Sequence, residues 1–258
     1  MTENKILNEI RKAKRVAVLS GAGMSAESGI ATFRDAQTGL WERYDPQRLA
    51  SPRGYEEDKA LVWGWYEWRR MHALKAQPHA GHLSLAELAR RFEQFSLITQ
   101  NVDDLHERAG SNDVIHLHGS LHKPRCSYCG NPYQHPEGIP NEPEGGRRVE
   151  PPVCIICGNT IRPGVVWFGE SLPEKALKQA AQAVSKCEVF ISVGTSALVW
   201  PAAGLSDIAK QHGAKVIQIN PDETPLDSKA DFNMKAKAGD VLPKLLNGLK
   251  AKPSNRIG

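Results

Sequence analysis

Apolar positions along this chain gather into short unbroken runs, separated by longer stretches in which they recur with helical spacing. Arg15–Ser20 (RVAVLS) is the first run. Phe95–Thr99 (FSLIT), Val114–Leu117 (VIHL), Val189–Val193 (VFISV) and Lys215–Ile219 (KVIQI) follow. Runs this short, rich in β-branched residues and without polar alternation, predict strands buried on both faces of a parallel sheet. Helical spacing is read over residues 59–74, 82–92, 174–185, 202–212 and 241–249. A further helix starts near Ser25, and Met1 to Lys14 is polar and helix-like. Residues 32–53 read as irregular and 165–168 as extended. Strands alternating with helices predict an α/β fold, a Rossmann-like parallel sheet with helices on both faces.

In such sheets ligands collect at the carboxyl ends of the strands. Those ends read Gly-Ala-Gly, Gln-Asn, His-Gly, Gly-Thr-Ser and Asn-Pro here. Polar or glycine-rich residues at every strand end predict one large polar ligand lying across the sheet edge.

Composition narrows the classes. The chain has 258 residues, 40% of them hydrophobic, and a formal net charge of +4. That suits one large domain, or one domain with a smaller insertion. The charge favours anionic ligands without demanding nucleic acid. No apolar run approaches the roughly 20 residues of a membrane span, and the N-terminus lacks the apolar stretch of a secretory signal. A cytoplasmic protein is expected.

Four of the five cysteines form two C-x-x-C pairs, Cys126/Cys129 and Cys154/Cys157, each followed by glycine. In a reducing compartment this spacing predicts a closed, tetrahedral, structural zinc site. A zinc deaminase would need H-x-E ahead of P-C-x-x-C; His135-Pro-Glu137 is an H-x-E, but Arg125 and Val153, not proline, precede the two C-x-x-C pairs. Cys187 stands alone and is expected to be a small buried apolar residue. Residues 135–152, between the pairs, are rich in Pro, Gly and charge and are expected to be mobile.

Gly21-Ala-Gly-Met-Ser-Ala26 fits G-x-G-x-x-A directly after a predicted strand. Such glycines permit a tight turn and close approach of a pyrophosphate, with helix N–H groups offered to the anion. The acidic residue that a dehydrogenase carries about 20 positions on is absent. Glu42 and Asp45 lie in irregular sequence, and the second strand arrives only at Phe95. A dinucleotide would therefore be held in another manner.

Taken in order, six segments and the cysteine quartet resemble the sirtuin family. They are GAGMSAESGIATFRD (21–35), TQNVDDLH (99–106), HLHGS (116–120), VVWFGE (165–170), Gly194-Thr-Ser196 and Ile219-Asn220. The likeness runs from about Val16 to Leu249. It implies a discontinuous Rossmann-like NAD-binding domain (1–35, 79–121 and 163–250). It also implies a small domain made of a helical insertion (36–78) and a zinc module (122–162), with a tail at 251–258. NAD and an extended acyl-lysine peptide would meet in the cleft between the domains.

By this resemblance Gly21, Ala22, Gly23, Ser25, Ile30, Phe33 and Arg34 face the pyrophosphate and nicotinamide side. Gln100 and Asn101 face the nicotinamide ribose, Asn101 as a catalytic residue, and Asp103 anchors the nicotinamide amide. Gly194, Thr195, Ser196, Asn220 and Ala238 hold the adenosine half. Val166, Phe168, Gly169 and Glu170 add the substrate backbone as a strand, with the Val166 carbonyl as partner of the acyl-lysine Nε–H. Cleavage of the nicotinamide–ribose bond leaves a cationic centre that the acyl-lysine oxygen captures. His118 is the candidate general base for the ribose hydroxyls, since an imidazole pKa of about 6.5 suits that task. His116 is assigned a structural role facing away from the site, and His79, His82 and His106 are expected to be packing or surface groups.

Trp63-Gly-Trp-Tyr66-Glu-Trp-Arg69 sharpens the substrate. Tyr66 and Arg69 are three apart and share a helix face. A guanidinium grips a carboxylate bidentately, with a phenol beside it. The pair resembles the signature of the sirtuin branch that removes succinyl, malonyl and glutaryl groups. Products would be free lysine, nicotinamide and acyl-ADP-ribose.

Other readings remain at this level: a plain deacetylase on the same fold, an ADP-ribosyltransferase, a non-catalytic NAD or ADP-ribose sensor, and a zinc-ribbon nucleic-acid binder. A pure sensor needs no base. Around Arg147-Arg148, Glu137, Glu142, Glu144 and Glu150 offset the charge a nucleic-acid surface requires. The expected partners are acylated-lysine proteins or peptides, without membrane or direct nucleic-acid contact, and the chain is expected to be a monomer.

Overall fold

The structure is a computed structural model that describes residues 2–31 and 44–250. Phe33, Arg34, Glu42 and the expected tail lie outside the described residues.

Helix α1 (Thr2–Lys12) leads into β1 (Arg15–Ser20), and α2 (Ala22–Ala26) starts one residue beyond the strand. Helices α3 (Pro46–Leu49), α4 (Pro52–Glu57), α5 (Lys59–Lys75) and α6 (Ala80–Ala89) separate β1 from β2 (Gln94–Thr99). Then come α7 (Leu105–Arg108), β3 (Ile115–His116), β4 (Arg125–Cys126) and β5 (Ile161–Arg162). Helix α8 (Glu174–Lys186), β6 (Val189–Val193), a 3-10 turn at Ala202–Gly204, α9 (Leu205–Gln211), β7 (Lys215–Ile219), β8 (Phe232–Met234) and α10 (Ala238–Lys250) complete the order.

Six strands form one parallel sheet in the order β3-β2-β1-β6-β7-β8. Numbered among themselves they run 3-2-1-4-5-6, the dinucleotide-binding order, whose switch point lies between the first and fourth strands. The period of two sorts each strand's side chains to opposite faces. Val16, Val18, Val189, Ile191, Ile217 and Ile219 pack on one face with α1, α6 and α10 residues such as Ile6, Leu85 and Leu242. Ala17, Leu19, Ile98, Phe190 and Val216 pack on the other with Ala180, Val184 and Leu205 of α8 and α9. Burial on both sides is why the strands read as unbroken apolar runs.

A third apolar cluster joins Leu49, Tyr55, Leu61, Val62, Trp65 and Tyr66 of α3, α4 and α5 to Leu121, Val165 and Trp167. A fourth places Trp63 of α5 against Cys126, Cys154 and Ile161. Helix α5 thus serves both the helical insertion and the cysteine module. Gly64, mid-helix, costs about 1 kcal/mol of helix propensity relative to Ala. It is required because a Cβ there would lie 2.1 Å from the Arg147 carbonyl oxygen.

Residues 135–152, expected to be mobile, are strapped along α5. Val149 N–H donates to the Ala60 carbonyl (3.0 Å), Trp68 Nε1–H to the Glu144 carbonyl (3.2 Å), and Arg148 pairs with Asp58 (2.5 Å). Composition alone cannot register such cross-links. Helix α2 begins at Ala22 rather than near Ser25, and α3 and α4 occupy part of the stretch read as irregular. Each of those two is little more than a turn, started by Asp45-Pro46 and Ser51-Pro52, where the first side chain accepts an amide hydrogen and proline takes the first helical position. Among the described residues no helix is long and apolar enough to cross a membrane.

Candidate active site

The carboxyl ends of β1 and β6 meet at the switch point in a glycine seam. Gly21 N–H donates to the Val193 carbonyl (3.0 Å) and Gly23 N–H to the Gly194 carbonyl (2.8 Å). Gly194 has φ +60°, and a Cβ on it would lie 2.3 Å from Met24 N. The reading that this turn offers its amides to an anion is corrected in part: the two glycine amides stitch the sheet edge. The Ala22 N–H makes no such bond among the described residues. Ile30 packs beside the helical insertion's cluster.

Next to the seam, hydrogen bonds tie the end of β2 to its neighbours. Gln100 Nε2 donates to Thr195 Oγ1 (2.8 Å), and Asn220 Nδ2 to the Thr195 carbonyl (2.8 Å). Asn101 Nδ2 donates to Ser25 Oγ (2.9 Å), whose hydroxyl donates to Asp103 Oδ2 (2.9 Å). Burial pushes the Asp103 carboxyl above its ordinary range, against the pull of the Leu105 amide and the Ser25 hydroxyl. Gly21, Ala22, Gly23, Ser25, Gln100, Asn101, Asp103, Gly194, Thr195 and Asn220 therefore converge on one strip of the sheet edge. Ser196 is half-buried beside Thr195, and Ala238 is buried at the first position of α10.

Behind the strip lies a chain that sequence reasoning missed. Ser20 Oγ is 2.8 Å from both Thr99 Oγ1 and His106 Nε2, and Thr99 Oγ1 accepts the Asn101 N–H (3.0 Å). The available signal was register: Ser20 and Thr99 are cross-strand partners.

His118 lies just past β3, with Nδ1 2.9 Å from the Gln100 carbonyl oxygen. That carbonyl can only accept, so Nδ1 carries the proton and Nε2 keeps its lone pair. Burial lowers the pKa of this imidazole. The expectation that His116 faces away is overturned. Residues two apart share a strand face, and His116 Nδ1 lies 3.2 Å from the next carbonyl, that of Asn101.

The 165–170 segment runs antiparallel to Gly119 through an isolated bridge at Val165, and Val166 N–H donates to the His118 carbonyl (2.9 Å). The Val166 carbonyl accepts no hydrogen bond among the described residues. Phe168 and Gly169 are exposed. Glu170 is engaged internally: its carboxylate takes the Arg162 guanidinium (2.5 and 2.9 Å) and the Trp167 N–H (2.9 Å). It braces the segment.

Beside that segment, Trp167 Nε1–H donates to the Tyr66 hydroxyl oxygen (3.1 Å), and burial pushes the Tyr66 pKa up to about 12. The Arg69 guanidinium lies 4.8 Å from the Trp65 ring centroid and 5.8 Å from that of Tyr66. It makes no hydrogen bond or ion pair among the described residues. Burial lowers its pKa, partly offset by the neighbouring Tyr66 and Asp103.

The four thiols of Cys126, Cys129, Cys154 and Cys157 lie within 4.8 Å of one another, with Sγ–Sγ distances of 3.4, 3.5 and 3.7 Å for three of the pairs. A tetrahedron with Zn–S of 2.3 Å has edges of about 3.8 Å. The donor set and spacing therefore fit Zn²⁺. Cys187 is buried and apart, as expected.

A six-stranded dinucleotide-type sheet, a polar strip at its switch point and a tetrathiolate knuckle define a zinc-stapled, NAD-using α/β protein. Residues 21–201 match the Sir2 family, and the chain belongs to it. It is 58% identical to an NAD-dependent protein deacylase of Methylococcus capsulatus, over 96% of this chain and 97% of that one. A Sir2 homolog solved with NAD superposes with a TM-score of 0.88 at 48% identity, covering 96% of this chain and 93% of the other. A Sir2 protein bound to an acetylated peptide superposes at 0.83 with 28% identity, covering 96% and 100%.

Proposed function

We propose that this protein removes acyl groups from protein lysines at the expense of NAD, and that it prefers acyl groups ending in a carboxylate, succinyl and malonyl foremost. Its deacylase relatives and the acetyl-peptide complex of its fold neighbour support the general activity. One observation carries the preference: Arg69 is a charged, partly buried guanidinium without a carboxylate partner among the described residues. Burying such a charge is costly unless it is paired. A dicarboxylic acyl chain supplies the missing carboxylate, with the Tyr66 hydroxyl beside it as a donor.

NAD, when bound, supplies an electrophilic ribose carbon and nicotinamide as leaving group. The chain's residues do the rest. The Val166 carbonyl receives the acyl-lysine Nε–H, and the 165–169 backbone aligns the peptide. The Asn101–Ser25–Asp103 chain fixes the ribose and nicotinamide side. His118, protonated on Nδ1, uses Nε2 to take a proton from a ribose hydroxyl.

Mass spectrometry of products from NAD and a mixed succinyl-, malonyl- and acetyl-lysine peptide panel tests this reading. We expect nicotinamide and acyl-ADP-ribose, with the acidic acyl groups consumed first. In Arg69→Met, kcat/KM on succinyl-lysine should fall roughly 10- to 150-fold, the equivalent of losing about 1.5–3 kcal/mol of charge-assisted hydrogen bonding, while acetyl-lysine is spared. A variant that keeps its succinyl preference would refute the assignment of Arg69.

A further inference from the structure

His116 and His118 address two consecutive carbonyls, those of Asn101 and Gln100, from the same side. Their other nitrogens differ. His118 Nε2 meets no protein partner among the described residues. His116 Nε2 lies 2.6 Å from Glu107 Oε1, presented by α7. His116 therefore sits between a carbonyl oxygen and a carboxylate oxygen, neither of which has a proton to give. Both of its ring nitrogens must donate, so the ring is an imidazolium.

We propose that His116, held by Glu107, is a positioning residue: its imidazolium clamps the Asn101 main chain, and so sets where the Asn101 amide meets the ribose side of the cleft. The inference rests on the reading of Asn101 and His118 as groups facing the dinucleotide. It gives two neighbouring histidines opposite duties. His118 works without its second proton, and His116 works only with it. Turnover therefore has an acid limit set by His118 and an alkaline limit set by His116.

The surroundings agree. Burial and Lys123, in the turn after β3, pull the His116 pKa down, while Glu107 and the Asn101 carbonyl raise it, and the net direction is upward. Asp103 and His106 also feel this charge. Asp113 and Lys186, the latter from α8, line the hollow beside the ring. Once pH exceeds the raised value, one ring nitrogen presents a lone pair to an oxygen, and the clamp on Asn101 opens.

The test is kcat against pH at saturating NAD and acyl-lysine peptide for wild type, Glu107→Gln and His116→Gln, with melting temperatures recorded for each. A parallel NMR titration follows the His116 Cε1–H in the full chain without NAD. We expect a bell-shaped wild-type profile. In Glu107→Gln the alkaline limb should move down by about one pH unit, the usual effect of losing an adjacent opposite charge, with the acid limb fixed and peptide KM within about twofold. In His116→Gln the alkaline limb should vanish, and kcat should fall roughly tenfold at neutral pH. The His116 resonance should titrate above the ordinary histidine range and drop in Glu107→Gln. An alkaline limb unmoved in both variants, or a His116 that titrates in or below the ordinary range, overturns the proposal. A wild-type profile without an acid limb instead refutes the role of His118 and leaves the His116 titration standing.

Discussion

Gly194 shows how closely single atoms are placed at the switch point. Its φ of +60° is open to glycine at little cost. A methyl group there would also lie 2.3 Å from Met24 N and 2.6 Å from the Gly23 carbonyl carbon, both backbone atoms that cannot swing aside. Gly194→Ala should therefore destabilise the fold by about 2 kcal/mol or more, lowering the melting temperature by about 5 °C. It should also weaken NAD binding measured by calorimetry. A variant that melts and binds like wild type would mean that the seam can open. At this scale the sequence told which residues gather, but not how they bond. Gln100, Asn101, Thr195 and Asn220 could be named from strand ends. The use of the glycine amides within the sheet, and the engagement of Glu170 by Arg162, depend on atoms distant in the chain and leave no local trace.

Among the elements, α5 has the widest reach. Its side chains enter the cluster beside Val165 and Trp167, and Trp63 packs against Cys126 and Cys154. Strands β4 and β5 pair over two residues each. So short a ribbon is not stable by itself, and its order depends on the metal that four thiolates can hold. Chelation with a strong zinc ligand should therefore release Trp63 into water, seen as a red shift in tryptophan emission. Far-UV circular dichroism of the parallel sheet should change little. Unchanged emission after metal loss, verified by elemental analysis, would show that the module stands without zinc. The strands at 15–20, 189–193 and 215–219 were legible to the residue because burial on both faces leaves an unbroken apolar run. Strand β8 was missed: Phe232–Met234 is three residues long, and its pairing with Ile217–Ile219 comes from the sheet rather than from its own pattern.

For the molecule as a whole, the buried histidines set an acid limit on stability. His82 is fully buried, and neither of its ring nitrogens meets a hydrogen-bonding protein atom among the described residues. Burial lowers its pKa to about 2 and that of His106 to about 4. Unfolded, both would titrate near the ordinary value of about 6.5. The unfolded chain thus binds more protons, so stability is complete above that value and is lost as pH falls below it, by up to about 1.4 kcal/mol per pH unit for each ring. Urea denaturation at pH 7, 6 and 5 should show this decline, and it should be shallower in His82→Leu. A free energy constant down to pH 5 would contradict the burial described. The sequence places these histidines in helices and motifs but is silent on their solvent exposure, which the assembled core decides.

The double duty of α5 has one further outcome. Only three positions, less than one helical turn, separate the tryptophan leaning on the thiolates from the phenol beside the Arg69 guanidinium. Loosening the knuckle would tilt the wall to which we assign the choice between acyl chains, while the nucleotide platform stayed rigid. Zinc scarcity would then register as blurred substrate choice ahead of outright inactivation, and the chelated protein, assayed on the mixed peptides, would reveal that order of loss.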